Sequence, residues 1–426
     1  MRTDQTRFVI QSYGEGGRVP EEQQTLMLDD VHVVDFSQYL AGAGVSRMLA
    51  EMGADITKVE IGPVGDGGRL LPVLKDNRSG FFIQHNRGKK SVALNWEHSE
   101  ALEIAKALAV QADVVLENFG TADVLKRRGL DYESIRELNP SVIYLSVSAF
   151  GRTGPWANKP GFDFIAQAAS GLMHMTGSPS GPPGVVWSAI ADNNAAVHGF
   201  AGLGYALYHR EKTGQGQFID LAMVDCLFHH HEMALEAWHL SDAEFVPQRM
   251  GQHHELVFPV GLFQGPESWI AMLALDFQWE NVCKAMDRLD LIDDPRYADI
   301  SDRAKRRDEL IPVVEEWMST FRSDQDLLDH LEKHRVPASP VLSPLDAIDH
   351  PQFKARDMVR WVDDPILGSV PIPGFPWKFS TQTELPELTA PLLGEHNSQV
   401  LENKLGYDAE QIERLKLSGV LIEGPT

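Results

Sequence analysis

The strongest restriction on the fold is a repeated alternation, in the first half of the chain, of short β-branched runs with glycine turns and helical stretches. VHVVDFS (31–37) reads as a buried strand, 45–52 as a helix, and ADITKVE (54–60) as a second strand entered through Gly53. The pattern recurs in SVALNW (91–96), a helix over 100–111, ADVVLEN (112–118), a helix over 132–138 and SVIYLSVSAF (141–150). Strands separated by helices cannot pair as hairpins, so neighbours must run parallel with the helices crossing over the sheet. The expectation is an α/β protein with a Rossmann-like parallel sheet.

A Gly/Pro-rich stretch (151–163) interrupts this layout before a helix over 164–173. After a second loop (176–184), VVWSAI (185–190) reads as a strand leading into a helix over 194–208, and FIDLAM (218–223) as another strand, with a helix following it to 238. From 262 to 340 short charged helices and one strand, WIAMLAL (269–275), indicate a smaller α+β domain. The expected division is an N-terminal extension (1–28), the first part of a large domain (29–225), a linker (226–261), the small domain (262–340) and a return segment (341–426) that completes the large domain.

Composition removes several classes of function. The 61 acidic and 38 basic residues give a net charge of −23, which disfavours nucleic acid and anionic membranes as partners. An anionic small ligand remains compatible because cations are gathered locally: Arg69, Lys75, Arg78, Arg87, Lys89 and Lys90 in one stretch, and Lys126, Arg127 and Arg128 in another. Two cysteines, Cys226 and Cys283, make neither a disulfide framework nor a thiolate metal site, and suit a reducing cytoplasm. The first residues carry no apolar core of signal-peptide length, and no run is long enough to span a bilayer.

Three motifs invite chemistry. Gly42-x-Gly44, with Glu60 closing the second strand, resembles part of a dinucleotide fingerprint, but Arg47 stands where the third glycine belongs. Tight strand-to-helix packing is the simpler reading, with a nicotinamide-dependent oxidoreductase as the alternative of another class. His229, His230 and His231 point about 100° apart on a helix, and Leu235 stands where a His-Glu-x-x-His zinc motif needs its second histidine, so no metal site is expected. Asp192 lies where a strand gives way to a helix. It reads either as a helix N-cap or as a carboxylate placed beside free amides that stabilise an oxyanion.

The ordered set of motifs decides between those two readings. VVDFSQYLAG with MLAEMGADITKVE (33–60), NRGKKSVAL (86–94), ADVVLENF (112–119), NPSVIYLSVSAFGRTGP (139–155), GFD…QAASGLM (161–173), TGQGQFIDLAM (213–223), HRVPASPV (334–341) and PLLGEHN (391–397) together resemble the class III CoA-transferases. That family includes the formyl-CoA:oxalate and carnitine CoA-transferases. The resemblance implies an interlocked-ring homodimer that uses acyl-CoA and a carboxylic acid as substrates, with no permanently bound cofactor. It places the catalytic nucleophile on Asp192 and a second acidic position on Asp163. CoA contacts fall on Asn118, Phe119 and Arg127 or Arg128, with Arg69, Arg87 and Lys90 as candidates for the phosphates.

The implied chemistry is covalent: an aspartyl anhydride, then an aspartyl–CoA thioester, then return of CoA to the acceptor acid. Leu40 stands where formyl-CoA transferases carry a glutamine that positions the acyl group. Gly251, Gln252 and His253, with His254, occupy the family's mobile glycine-loop region, where this chain has a single glycine. The α-methylacyl-CoA racemases share the fold, but their Gly-His-Asp acid/base triplet is here Gly161-Phe162-Asp163, and phenylalanine carries no proton.

Overall fold

The computed structural model describes residues 26–382, 385–386 and 388–424. The greater part of the expected N-terminal extension lies outside them. Six strands form one all-parallel sheet: β1 His32–Asp35, β2 Asp55–Ile61, β3 Lys89–Leu94, β4 Val114–Glu117, β5 Ile143–Ser148 and β6 Gln217–Ala222. Their spatial order is β3-β2-β1-β4-β5-β6. The chain first winds outward from β1 and then reverses to add β4 on the other side. Such a sheet opens a crevice at the carboxyl ends of β1 and β4, where connecting loops diverge to opposite faces.

The central strands β4 and β5 are buried throughout because both faces are covered, whereas β6, at the sheet edge, is only partly buried. On one face Val33, Ile56, Leu116, Leu145 and Val147 pack against α1 (Ala41–Glu51) and, further along the chain, a helix over Ile190–Thr213. On the other face Val34, Val59, Val92 and Val115 meet Ile104 and Leu108 of the helix over Ser99–Gln111. The last helices, Asn397–Leu405 and Ala409–Leu417, bury Leu401 and Leu415 in that same core. Residues 420–422 hydrogen-bond along β3, which lies at one edge of the sheet.

A separate three-stranded antiparallel sheet (Val260–Gln264, Trp269–Leu273, Ala338–Pro340) has its own core around Phe258, Phe263, Trp279, Val314 and Leu331. The mixed α/β reading with a large parallel sheet is borne out. The expected strand over 185–190 does not form. Residues 182–186 are irregular, 187–189 make a turn, and the helix begins at Ile190. The helix expected over 164–173 divides into Asp163–Ala169 and Leu172–Met175, separated at Gly171, whose φ of 89° no continuous helix accommodates.

Candidate active site

After α1, the helices of this domain up to residue 228 are α2 (Gly80–Asn86), α3 (Ser99–Gln111), α4 (Asp123–Lys126), α5 (Tyr132–Arg136), α6 (Asp163–Ala169), α7 (Leu172–Met175), α8 (Ile190–Thr213) and α9 (Met223–Phe228), and α1, α8 and α9 reach the crevice. A cavity of about 240 Å³ opens there. It is lined from the β1 turn by Gln38, Tyr39 and Leu40, from the β4 turn by Asn118, Phe119 and Gly120, and by Ser148, Phe162, Asp192 and Met223. Asp192, Asn118, Phe119 and Leu40, which are far apart in the sequence, therefore meet at one site.

Its floor is set by close packing of α1 on α8. A Cβ on Gly44 would stand 2.9 Å from Ala196 Cβ, and one on Gly199 2.9 Å from Val45 Cγ2. Of the two turn glycines, Gly44 thus serves helix contact, and Gly42 lets the backbone approach Ser37, whose Cβ would stand 2.5 Å from an added Cβ. Glu60 is not free for a ribose: it accepts from Arg69, Ser91 Oγ and the Asp66 amide. The dinucleotide alternative loses its acidic partner.

The β1 turn is held from below by buried charges. Asp35 accepts from Ser37 Oγ and Ser46 Oγ, and lies 3.0 Å from Lys89 and 4.0 Å from Lys58. Burial disfavours its charge, but Lys89 and Lys58 outweigh burial and keep Asp35 far below the usual carboxylate range. Lys58 also bonds Asp66, which accepts from the Tyr39 amide, while Asn118 brackets Gln38 with one bond to its N–H and one from its own amide to the carbonyl. Tyr39, at φ 60°, stands edge-to-face with Phe162 at 6.2 Å.

Asp192 occupies the third position of α8. The capping position before it is Ala189, in a left-handed conformation at φ 47° and with no side chain that can bond the helix amides. Asp163, the first residue of α6, supplies the missing acceptor: its Oδ1 takes the Ala191 amide at 2.7 Å and the Asp192 amide at 3.3 Å. Its Oδ2 takes Gln167 Nε2 at 2.6 Å. The N-cap role considered for Asp192 is filled by Asp163 instead. No cation or hydrogen-bond donor among the described residues contacts the Asp192 carboxylate. Burial first, and then the Asp163 charge, push its pKa up to about 7. The positive end of α8 favours the anion, but burial prevails.

The basic stretch does not gather into one phosphate site. Arg69 is clamped on Glu60 at 2.7 Å, donates to the Pro391 carbonyl and lies 3.7 Å over the Phe82 ring. Arg87 is fully buried against Glu51 at 2.6 Å, closed off from any ligand. Lys90 pairs with Asp55, at the start of β2 and so at the sheet edge opposite the crevice. These cations are thus taken up by three separate acidic partners, Glu60, Glu51 and Asp55. Arg127 and Arg128 follow α4, directly after the β4 turn. Arg127 is exposed, and Arg128 lies 5.3 Å from the centre of the Trp96 ring, which in turn neighbours Phe119 at 6.1 Å.

Gly251, Gln252 and His253 pack away from the cavity. The Gly251 amide donates to Gly177, Gln252 accepts from Leu262, and the His253 ring meets Phe263 at 4.9 Å, where burial lowers its pKa. His231 bonds the Ser170 carbonyl, and His230 bonds Asn194.

Sequence reasoning missed Gln167, although its i,i+4 spacing from Asp163 was a usable signal. It also missed Arg152, whose guanidinium ties Glu117, Ser146 Oγ and the Phe119 carbonyl together beneath the β4 turn. Nothing in local pattern marks that residue, because its partners come from three elements.

A family model, CoA-transferase family III, matches residues 28–397. The chain belongs to that family. It is similar to succinyl-CoA:mesaconate CoA-transferase of Haloarcula hispanica, at 38% identity over 91% of this chain and 98% of that protein. It is also similar to formyl-CoA:oxalate CoA-transferase of Streptomyces avermitilis, at 31% identity over 93% and 100%. A solved CAIB/BAIF family protein from Brucella suis superposes with a TM-score of 0.78 at 32% identity, covering 89% of this chain and 100% of that one. The family III CoA-transferase expected from the motifs is thus confirmed as the enzyme class, and CoA thioesters are its substrates.

Proposed function

We propose that this family III CoA-transferase moves coenzyme A from an acyl-CoA to a short carboxylic acid through a covalent intermediate on Asp192. The observation that carries this reading is a half-buried carboxylate at a helix N-terminus, unpaired among the described residues and with its pKa pushed up to about 7, in the switch-point crevice. A carboxylate of raised basicity is the better nucleophile, and at neutral pH a large part of it is still ionised.

Asp192 adds to the thioester carbonyl; the C–S bond breaks, leaving an aspartyl–acyl anhydride and CoA thiolate. The thiolate then attacks the aspartyl carbonyl, expels the donor carboxylate and leaves CoA as a thioester on Asp192. The acceptor carboxylate repeats both steps in reverse. The largely apolar crevice keeps water from the anhydrides.

Asn118 and Phe119 form the wall for CoA, with Arg127 and Arg128 beside them for its phosphates. Leu40 in the wall favours an acceptor with a hydrocarbon portion over oxalate, in keeping with the mesaconate named for the Haloarcula protein. A second copy of the chain covers the exposed apolar side chains Trp187 (80% exposed), Tyr205 (79%) and Tyr208 (63%), giving the homodimer. Its two buried free cysteines suit a reducing cytoplasm.

The test is an exchange assay with several acyl-CoAs and pooled carboxylic acids, new thioesters being read by mass spectrometry. Wild type should form them, and Asp192→Ala should lose about a thousandfold or more in rate. Equal exchange by both would refute the nucleophile. Deuterium uptake beside the thioester without exchange would favour the racemase reading.

A further inference from the structure

We propose that Gln167 is the positioning residue of this site: its side-chain amide locks Asp163 and the chain entering α8 into one network, and thereby fixes where Asp192 stands. The proposal rests on Asp192 being the nucleophile, and its test separates the two.

Gln167 is fully buried, so both ends of its amide require partners. Nε2 donates to Asp163 Oδ2 at 2.6 Å and to the Val186 carbonyl at 3.0 Å, while Oε1 accepts from the Val186 amide at 3.2 Å. One side chain thus grips both backbone groups of Val186, three residues before Ala189. Ala189 sits at φ 47°, which alanine holds only where its surroundings fix it. The same amide pins the Asp163 oxygen that does not face α8, leaving the other aimed at the Ala191 and Asp192 amides. Only an amide makes all three bonds: an ionised glutamate can donate to neither Asp163 nor the Val186 carbonyl, and a protonated one has a single O–H for the two.

Among the described residues the charges around Asp192 are few, so the consequence is legible. From α6 the facing charge is Asp163; Tyr39 is the other titratable side chain lining the cavity; α1 presents Ala41 and α9 presents Met223. Disturbing Asp163 therefore changes both the direction and the ionisation of Asp192.

Three variants test this in the full-length enzyme, with CoA exchange followed across pH. Gln167→Met fills a similar volume without hydrogen bonds, and kcat should fall about ten- to a hundredfold with KM for acyl-CoA unchanged. Gln167→Glu places a second carboxylate beside Asp163. The acid limb of its pH profile should rise by about one unit, a tenfold loss below the limb. The swap Asp163→Asn with Gln167→Glu reverses donor and acceptor in the shared bond, and should recover part of what the single changes lose.

Wild-type kcat and pH profile in the folded single variants, or a swap whose loss is the product of the single losses, would overturn the proposal. If Gln167→Glu fails to fold, Gln167→Met still decides: wild-type kcat there overturns the proposal. Asp192→Ala run in parallel keeps the questions apart: activity there refutes the nucleophile, whereas an inactive Asp192→Ala beside unaffected Gln167 variants refutes this inference alone.

Discussion

Asp35, at the end of β1, and Asp192, in the first turn of α8, are two carboxylates withdrawn from solvent near the same crevice, and they are treated in opposite ways. Asp35 ends β1 among Lys89, Lys58 and two serine hydroxyls, and stays charged far into acid. Asp192 has no cation beside it among the described residues and a second carboxylate near it, and its pKa is pushed up to about 7. Burial is common to both; the partners decide. The first arrangement makes a rigid support that holds the Gln38–Leu40 turn in place. The second leaves a carboxylate with unsatisfied affinity for an electrophile, at some cost to stability.

The comparison can be broken at its stable end. Lys89→Met strips the closest cation from Asp35 and should cost about 3 kcal/mol of folding stability at pH 7, read by urea unfolding. Asp35 has a depressed folded-state pKa, so its contribution is present above the usual carboxylate pKa and disappears as pH falls through the folded value. The deficit of Lys89→Met should therefore shrink in acid.

The reactive end can be sharpened. Asp163→Asn keeps an oxygen for the α8 amides but removes the charge that raises Asp192. The acid limb of the exchange profile should move down by roughly one pH unit. An unchanged limb would mean that burial alone sets the titration.

The smallest effect is a gain. The raised folded-state pKa of Asp192 adds stability at low pH that is lost as pH rises through about 7. Asp192→Asn should accordingly stabilise the fold by about 1–2 kcal/mol at pH 8 and hardly at pH 4, seen as a shift in thermal midpoint.

These two aspartates also show what could be read from the sequence. The β-branched runs around VHVVDFS and ADVVLEN announced parallel strands because each is buried on both faces, and the resemblance singled out Asp192. VVWSAI has the composition of a strand yet forms none, because Val186 is bonded by a distant glutamine and the chain turns at Ala189. Arg69, Arg87 and Lys90 are neighbours in sequence but pair with three separate carboxylates, and those partners, Glu60, Glu51 and Asp55, were not evident from spacing. The capping of α8 by Asp163 was equally hidden, since it joins residues 28 apart.

The central claim is that Asp192 carries CoA during turnover, and mass spectrometry of the enzyme quenched during exchange tests it most directly. The account predicts a CoA-mass adduct, labile to hydroxylamine, on the peptide containing Asp192 and absent from Asp192→Ala. Rapid exchange with no adduct on that peptide, or an adduct on another residue, would contradict it.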